Sequence, residues 1–218
     1  MKTTSKCYVA IVIAGSTNGG KTSVSDRLLK EFPNSILIKQ DDYFLEPDDP
    51  NHVWITLSNQ IRHQDWERYS SLDWHKMDET LLKLHRETQA GGESCEESQT
   101  NNLGEVRDFE SIKNKLKLVL IEGHAVLCHS FPSFFKLDKK IFLTLSEETC
   151  RARRSTRNYV PPDPENYFEE CVWPTYLEHL ALAKANHPDA LFINGELDKE
   201  TVFQQIRKEI VEIYLKLL

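Results

Sequence analysis

The segment YVAIVIAGSTNGGKT, from Tyr8 to Thr22, is the part of the sequence most informative about the fold. Its first half, Tyr8 to Ala14, is a continuous apolar run rich in Val and Ile, which is typical of a parallel strand covered on both faces. Its second half matches GxxxxGK followed by Ser or Thr, a pattern whose glycines let successive backbone N–H groups point at a phosphate. The stretch therefore predicts a buried strand, a phosphate-binding loop and a helix whose N-terminus adds partial positive charge.

The loop contains the first candidate ligand residues. Lys21 can reach the β and γ phosphate oxygens, and the hydroxyl of Thr22 can ligate Mg²⁺. This pattern indicates a nucleoside triphosphate without specifying the base or the reaction. The DxxG and NKxD sequences of switch GTPases are missing from the chain, which disfavours that class. The predicted ATP-binding residues of the loop are Gly15, Ser16, Thr17, Asn18, Gly19, Gly20, Lys21 and Thr22.

Strand and helix patterns alternate along the rest of the chain. The predicted elements are strands at 36–38, 116–121, 141–145 and 191–193, and helices at 21–32, 72–85, 147–157 and 176–186. Ser146 is the predicted cap of the third helix, and Asp198 that of a closing amphipathic helix. The alternation predicts an α/β fold with a doubly wound parallel sheet, formed by a single domain over residues 1–218. The apolar positions of the closing helix are Val202, Ile206, Ile210 and Leu215.

Two segments lack a regular apolar pattern. The segment 48–63 is polar and contains proline, so it is predicted to be a loop. Gly, Ser, Gln, Asn and Glu dominate 87–110, which has almost no apolar residue and is predicted to be a flexible insertion within the domain.

The composition excludes several classes of protein. Of the 218 residues, 39% are hydrophobic and 28% charged, an ordinary globular balance, and the net charge is −7. An acidic surface repels phosphate backbones and anionic lipids, so we expect no nucleic-acid or membrane partner. The five cysteines are scattered and form no CxxC pair, which indicates reduced thiols and a cytoplasmic location. The oligomeric state is left open.

Acidic residues follow two of the predicted strands. Asp41 and Asp42 come after the strand at 36–38, and Glu122 comes after the strand at 116–121. Ligands of open α/β sheets bind beyond the carboxyl ends of the strands, so these carboxylates are candidates to accept a substrate proton or to hold Mg²⁺. Asp41 and Asp42 point different ways, so at most one of them faces the phosphates. The alternatives are a turn cap for the aspartates and an exposed strand end for Glu122.

The densest positive cluster of this acidic chain lies within 147–164. Arg151, Arg153, Arg154 and Arg157 fall in one predicted helix, three or four residues apart, and form two overlapping basic faces. Phosphoryl transfer needs cations around the developing charge, and a movable arginine segment can supply them. Together with the phosphate loop, the cluster predicts a small helical lid in which Arg153, Arg154 and Arg157 bind ATP. The alternative is a solvated helix face paired with neighbouring glutamates.

Several motifs occur together in a characteristic order. They are the phosphate loop, Gln40-Asp41-Asp42-Tyr43-Phe44, Ile121-Glu122-Gly123, the block RRSTRNYVPPD from Arg153 to Asp163, and Val172-Trp173-Pro174. In order and approximate spacing the chain resembles nicotinamide riboside kinases, P-loop nucleoside kinases related to uridine kinase. The resemblance covers most of the chain apart from 87–110, and the arginine-rich block is its most specific part.

This resemblance implies a reaction. ATP would donate its γ-phosphoryl group, with Mg²⁺, to the 5′-hydroxyl of nicotinamide riboside, and the mononucleotide product would feed NAD synthesis; nicotinic acid riboside is a second candidate acceptor. Asp41 would be the general base, close to Mg²⁺, and Lys21 and Glu122 would complete the catalytic set. Thr22 and Asp41 are the implied metal-binding residues.

The resemblance also implies a nucleoside site. Trp66 and Tyr159 match the two aromatic rings that enclose the nicotinamide, and stacking on a cationic pyridinium suits such rings. Glu67 stands where the family has an aspartate that binds the ribose hydroxyls, and it is one methylene longer. The remaining substrate-contacting positions are Phe44, Asp41, Arg154 and Asp163.

Other interpretations of the same residues stay open. A kinase for another small hydroxyl substrate, such as uridine or pantothenate, would share this core, and a non-catalytic ATP-binding regulator would share the loop. Trp66 could equally be a core aromatic, Tyr159 could brace the proline turn, and Asp163 could cap a turn. Residues assigned to packing, loop or core positions are Trp173, Tyr176, His124, Cys128 and His129.

Overall fold

The computed structural model describes residues 8–90, 113–114 and 116–217. Five parallel strands form the main sheet, in the order β2-β5-β1-β6-β7. Their bounds are β1 Val9–Gly15, β2 Ser35–Lys39, β5 Leu118–Gly123, β6 Lys139–Thr144 and β7 Leu191–Asn194. All five predicted strands are therefore present, each within a few residues of its predicted bounds.

The central strand explains why the sheet is covered on both faces. Every residue of β1 is buried, and β1 pairs with β5 on one side and β6 on the other. The even positions from Ala10 to Ala14 belong to one apolar core, and the odd positions from Val9 to Ile13 belong to a second. Successive side chains of a strand point to opposite faces, so the continuous apolar run predicted from Tyr8 to Ala14 supplies both cores.

Helices cover both faces of the sheet. Their bounds are α1 Lys21–Glu31, α2 Trp74–Ala90, α3 Glu147–Arg154, α4 Trp173–Asn186 and α5 Lys199–Leu217. The core around α2 and α4 contains Met77, Leu81 and Tyr176, and the core around α1 and α5 contains Leu28 and Ile206. This is the predicted doubly wound α/β arrangement.

Both predicted caps are present. The hydroxyl of Ser146 accepts the backbone N–H of Thr149 at 3.3 Å at the start of α3. The carboxylate of Asp198 accepts the backbone N–H of Thr201 at 2.9 Å at the start of α5. Each satisfies a donor that has no partner within the helix itself.

The segment 48–63 is more ordered than predicted. It contains β3, Trp54–Thr56, which pairs antiparallel with β4, Arg62–Gln64. Each strand has only three residues and shows little of the apolar–polar alternation that is typical of a strand. The sequence pattern therefore did not predict the hairpin. The buried side chain of Leu57 anchors the turn in a small core with Tyr167 and Val172.

Helices α2 and α3 end at residues other than those predicted, and α5 contains one apolar residue that is more exposed than predicted. Helix α2 continues to Ala90, into the predicted insertion at 87–110; residues 91–110 lie outside the described part of the chain. Helix α3 ends at Arg154, so Arg157 is not helical. In α5, Val202, Ile206 and Ile210 are buried as predicted, but Leu215 is 47% exposed because the helix there has passed the edge of the core. No described helix combines the length and apolar character that crossing a bilayer requires.

Candidate active site

A cavity of about 810 Å³ opens at the carboxyl ends of the parallel strands. Such a location follows from the fold, because the loops of a doubly wound sheet converge there. Most of the predicted site residues line this cavity, although they come from five separate stretches of the chain. They are Thr17, Asn18, Gly19, Gly20, Lys21, Thr22, Asp41, Phe44, Trp66, Glu67, Glu122, Arg153, Arg154, Arg157, Tyr159 and Asp163. Of the predicted set, Gly15 and Ser16 do not line the wall.

Gly15 is required for the packing of the phosphate loop. Its φ is +137°, and a Cβ at this position would lie 2.2 Å from the carbonyl oxygen of Leu143 in β6. Only glycine combines that backbone conformation with so close an approach. The loop then folds back on itself, with the Gly19 N–H donating to the Ser16 carbonyl at 3.0 Å.

Lys21 lies with its ammonium group against the loop. Its Nζ donates to the carbonyl of Ser16 at 2.8 Å and to that of Gly15 at 3.2 Å. Burial lowers the pKa of Lys21, and the carboxylates of Asp41 and Glu122 oppose that shift. The ammonium group therefore has acidic neighbours and lies at the wall of the cavity, a position suited to binding phosphate oxygens.

Thr22 and Glu122 meet across the cavity floor. The Thr22 hydroxyl donates to Glu122 Oε1 at 3.0 Å. The Glu122 side chain is buried, and its second oxygen, Oε2, has no hydrogen-bond partner among the described residues. An unpartnered buried carboxylate oxygen is costly unless a cation or donor completes it. A hydroxyl and a carboxylate are the hard oxygen ligands that Mg²⁺ prefers, so these residues fit that ion.

Asp41 and Asp42 diverge as predicted. Both belong to the short 3₁₀ turn Gln40–Tyr43 that follows β2, and both are exposed. Asp41 lines the cavity and contributes to the electrostatic environment of Lys21, whereas Asp42 is not part of the cavity wall. Asp41 is therefore the one of the two that is placed to reach a ligand in the cavity.

Arg154 is the centre of a buried polar network. Its guanidinium group lies 3.0 Å from Glu67 Oε1, makes two bonds of 2.5 and 3.0 Å to the carboxylate of Asp163, and reaches Thr17 Oγ1 at 3.3 Å. Burial opposes its charge, but the bonds to Asp163 and the charge of Glu67 outweigh burial and raise the pKa of Arg154. Burial raises the pKa of Glu67, and the arginine counteracts that shift. The paired guanidinium thus holds two carboxylates beside the phosphate loop.

Comparison with known proteins relates nearly the whole chain to one group of enzymes. Human nicotinamide riboside kinase 2 is 30% identical over 203 residues, which cover 91% of this chain and 79% of the human protein. Nicotinamide riboside kinase 1 from Rattus norvegicus is 30% identical over 200 residues, which cover 92% of each chain. The chain belongs to the nicotinamide riboside kinase family. The Saccharomyces cerevisiae nicotinamide riboside kinase is 25% identical over 217 residues, 89% of this chain and 83% of the yeast protein.

Two further comparisons complete this result. No family model matches the chain. The solved structure of a Deinococcus radiodurans tunicamycin resistance protein superposes with a TM-score of 0.51 at 12% identity, over 93% of this chain and 95% of that one. At this identity the likeness concerns the fold alone, and it agrees with the α/β architecture of this nicotinamide riboside kinase family member.

The four arginines of the segment 147–164 do not form one surface. Arg151 turns outward, where it pairs with Glu147 and Glu169, so for this residue the solvated alternative is the correct one. Arg153 donates to the carbonyls of Asn18 and Gly195 at 3.3 and 3.1 Å. Arg157 lies beyond the end of α3, exposed at the cavity wall. The prediction of two overlapping basic faces on one helix was wrong, because the helix ends at Arg154 and Arg157 lies beyond it.

Aromatic rings line the other end of the cavity. Phe44 and Trp66 pack edge to face, with their centroids 5.7 Å apart. Tyr159 lies beneath the guanidinium carbon of Arg154, at 4.3 Å from its ring centroid, and its hydroxyl accepts a hydrogen bond from Asn18 Nδ2 at 3.1 Å. Tyr159 therefore connects Arg154 to Asn18 of the phosphate loop. This contact is in addition to any packing of Tyr159 against the proline turn.

Sequence reasoning missed several cavity residues. His124 was assigned to a loop or core position, but it lines the cavity beside Phe44, with which its ring stacks at 6.1 Å. Its place directly after Glu122-Gly123, at the carboxyl end of β5, was the signal that could have identified it. His129 has the expected packing role, stacked on Trp74 at 4.6 Å. The other missed lining residues are Ser23, Val24, Arg27, Leu45, Glu46, Pro47, Thr156, Val160, Pro161, Gly195, Leu197, Lys199 and Val202.

Proposed function

We propose that this protein transfers the γ-phosphoryl group of ATP to the 5′-hydroxyl of nicotinamide riboside, giving the mononucleotide for NAD synthesis. The observation that carries the proposal is a single cavity that joins a phosphate loop to an aromatic and acidic pocket. Asp41 lines the same cavity and is near enough to both Lys21 and His124 to influence their pKa values. A base in that place can serve a hydroxyl presented to a bound phosphate.

The reaction chemistry follows from the residues around the loop. Asp41 accepts the proton of the 5′-hydroxyl as its oxygen attacks the γ-phosphorus, and the bond from that phosphorus to the β,γ-bridging oxygen breaks to release ADP. Lys21 and the backbone N–H groups of the loop stabilise charge on the phosphate oxygens. Arg153 and Arg157 supply further positive charge from the lid side.

We assign Mg²⁺ to Thr22 and Glu122, with Asp41 close by. The support is the unpartnered buried oxygen of Glu122 and its bond to the Thr22 hydroxyl. When bound, the ion neutralises phosphate charge. The residues of the loop retain their own task, which is to hold the triphosphate in line with the attacking hydroxyl.

Nucleoside recognition is assigned to the aromatic end of the cavity. Trp66 and Tyr159 offer ring faces to a flat cationic pyridinium, with Phe44 as an apolar wall. Glu67 and Asp163 can accept hydrogen bonds from ribose hydroxyls, and Arg154 pairs with both carboxylates and fixes their positions. Because these contacts concern the ring and the ribose, nicotinic acid riboside is a second candidate acceptor.

The setting of the enzyme is also a proposal. We assign residues 1–218 to one kinase domain, with 147–164 as its lid and an insertion that begins after α2. Described cysteines Cys128, Cys150 and Cys171 are free, which supports a cytoplasmic location. The partners are ATP and a small nucleoside, with no role for nucleic acid or membrane.

The test is ADP release by the purified protein with ATP and Mg²⁺, across nicotinamide riboside, nicotinic acid riboside, uridine, cytidine and pantothenate. We expect turnover with the pyridine ribosides and none with the other three. Turnover with uridine or pantothenate alone would contradict the aromatic assignment while keeping the phosphate-loop chemistry. ATP binding without turnover on any acceptor would favour a regulator that binds ATP without catalysis.

A further inference from the structure

His124 makes two hydrogen bonds to two different segments of the chain. Its Nδ1 lies 2.8 Å from Nε2 of Gln40, in the turn after β2. Its Nε2 lies 3.3 Å from the carbonyl oxygen of Glu67, in the segment before α2. One imidazole thus connects three stretches of chain that are far apart in sequence.

The direction of both bonds follows from the partners of Gln40. The Gln40 oxygen accepts the backbone N–H of Ala125 at 2.8 Å, so its amide nitrogen faces His124 and donates. His124 Nδ1 is therefore the acceptor and carries no proton. The proton of the neutral ring is on Nε2, which donates to the Glu67 carbonyl.

Gln40 has little freedom to move. It is fully buried, and a Cβ on the neighbouring Gly123 would lie only 2.3 Å from its side-chain oxygen. Glycine at 123 therefore creates the space that the Gln40 amide fills. The next residue along the chain is Asp41, the proposed base. The position of Gln40 therefore fixes the backbone position from which the Asp41 side chain extends.

The second hydrogen bond of His124 ends on Glu67, the residue that pairs with Arg154. Glu67 is buried, and its carboxylate pairs with that arginine at 3.0 Å while its backbone carbonyl accepts from His124. A shift of that carbonyl would displace the carboxylate proposed to bind ribose.

We propose that His124 is a positioning residue that sets the placement of two carboxylates at once: Asp41 through Gln40, and Glu67 through its own backbone carbonyl. The proposal rests on the proposed function only for the roles of Asp41 as base and Glu67 as nucleoside ligand. His124 itself transfers no proton in the reaction. Its effect on Asp41 should change kcat, and its effect on Glu67 should change the KM for the nucleoside.

Two amide substitutions at His124 remove its two hydrogen bonds one at a time. His124→Asn places a carbonyl oxygen where Nδ1 stood and keeps the acceptor for Gln40, but it lacks the donor to Glu67. His124→Gln reaches the Nε2 position with its amide nitrogen and keeps that donor, but it lacks the acceptor. We expect His124→Asn to raise the KM for nicotinamide riboside about three- to tenfold with kcat within twofold, since one hydrogen bond is lost. We expect His124→Gln to lower kcat by a similar factor and to leave that KM within twofold.

Two further variants check the connection. Gln40→Leu removes the donor to His124 Nδ1 together with the acceptor of the Ala125 N–H, so its kcat should fall at least as far as that of His124→Gln. Adding His124→Gln to Gln40→Leu should lower kcat little further, because the bond between Gln40 and His124 is already lost. The KM for ATP should stay within twofold throughout. Equal effects of the two amide variants on kcat and KM, or wild-type kinetics in both, would overturn the proposal and leave His124 as part of the cavity wall.

A spectroscopic measurement decides the matter independently of turnover. In ¹⁵N-histidine-labelled wild-type protein, the His124 resonances are those lost in His124→Phe, and they should show a bare Nδ1 and a protonated Nε2. The opposite tautomer would overturn the proposal even if a variant folds poorly. If the wild type uses another acceptor from the panel, the proposed substrate fails while the same kinetic separation is measured with that acceptor.

Discussion

Arg154 and Glu67 form an ion pair of 3.0 Å in which only 7% and 12% of the two side chains are exposed. The residues are far apart in the chain, one at the end of α3 and the other between β4 and α2. The pair joins the lid segment to the acidic side of the proposed nucleoside site. Because Arg154 also binds Asp163 and reaches Thr17, its loss would affect both stability and substrate binding.

Removal of this guanidinium group should destabilise the protein. Arg154→Met leaves two carboxylates without their buried partner, and we expect the free energy of unfolding to fall by about 3 kcal/mol. Urea denaturation of both proteins measures the change. Arg151→Met is the matched control, since Arg151 is 44% exposed and pairs only at the surface, where about 1 kcal/mol or less is expected. Equal losses in the two variants would contradict the buried role of Arg154.

Asp41 should be essential for turnover, and its neighbour should not. Asp41→Asn removes the proposed base without changing size, so we expect kcat to fall at least about 100-fold, with the Kd for ATP within a few-fold. Steady-state kinetics and ATP titration separate these effects. Asp42→Asn is the matched control, because it removes the same charge one residue away at a position that does not line the cavity. This variant should keep a kcat near that of the wild type. Similar kcat values for the two variants would remove Asp41 from its proposed role.

Trp66 should contribute to the nucleoside site alone. Trp66→Leu keeps an apolar side chain but loses the ring face, and we expect the KM for nicotinamide riboside to rise about tenfold, the scale of one good cation–π contact. The KM for ATP should change little. Trp54→Leu, in the β3–β4 hairpin, removes a half-exposed indole outside the cavity and should leave both constants unchanged. A rise in the KM for ATP in Trp66→Leu would point to a general distortion of the cavity.

Thr22 and Glu122 should set the magnesium requirement. Thr22→Ala and Glu122→Gln each remove a proposed ligand atom, so both should raise the Mg²⁺ concentration that gives half-maximal rate. Thr22→Ser retains the hydroxyl and should behave like the wild type. The measurement is a Mg²⁺ titration of ADP release at fixed ATP. An unchanged requirement in both Thr22→Ala and Glu122→Gln would exclude these residues as the metal site.

A buried histidine should make the protein sensitive to mild acid. Burial, then the nearby His124, lower the pKa of His179 to about 4, and Glu178 and Glu67 oppose the shift. In the unfolded chain a histidine binds its proton below about pH 6.5. Between those values unfolding takes up a proton, so stability falls as pH falls through this range, by at most about 1.4 kcal/mol per pH unit from this residue.

Replacement of His179 tests that dependence. Urea unfolding between pH 7 and pH 4.5 should show a shallower loss of stability in His179→Leu than in the wild type. His75→Gln, which removes an exposed imidazole from α2, controls for the loss of a histidine in general. An identical slope in His179→Leu and the wild type would contradict the assignment.

Features that depend on neighbouring residues were predictable from the sequence alone. The strand, phosphate loop and helix from Val9 to Glu31 follow from an apolar run, from glycines that permit unusual backbone angles, and from a helical pattern, all of which act over a few residues. The caps at Ser146 and Asp198 were predictable for the same reason. Alternation of such elements was enough to indicate the parallel α/β class.

Contacts between residues distant in sequence depend on the tertiary structure. The order of the strands, the pairing of Arg154 with Glu67, and the bridge from His124 to Gln40 join positions that no local pattern connects. The β3–β4 hairpin also depends on packing, because its short strands carry too weak a pattern of their own. Side-chain partners of this kind are chosen by burial, since a polar group removed from water must find whichever partner the fold places beside it.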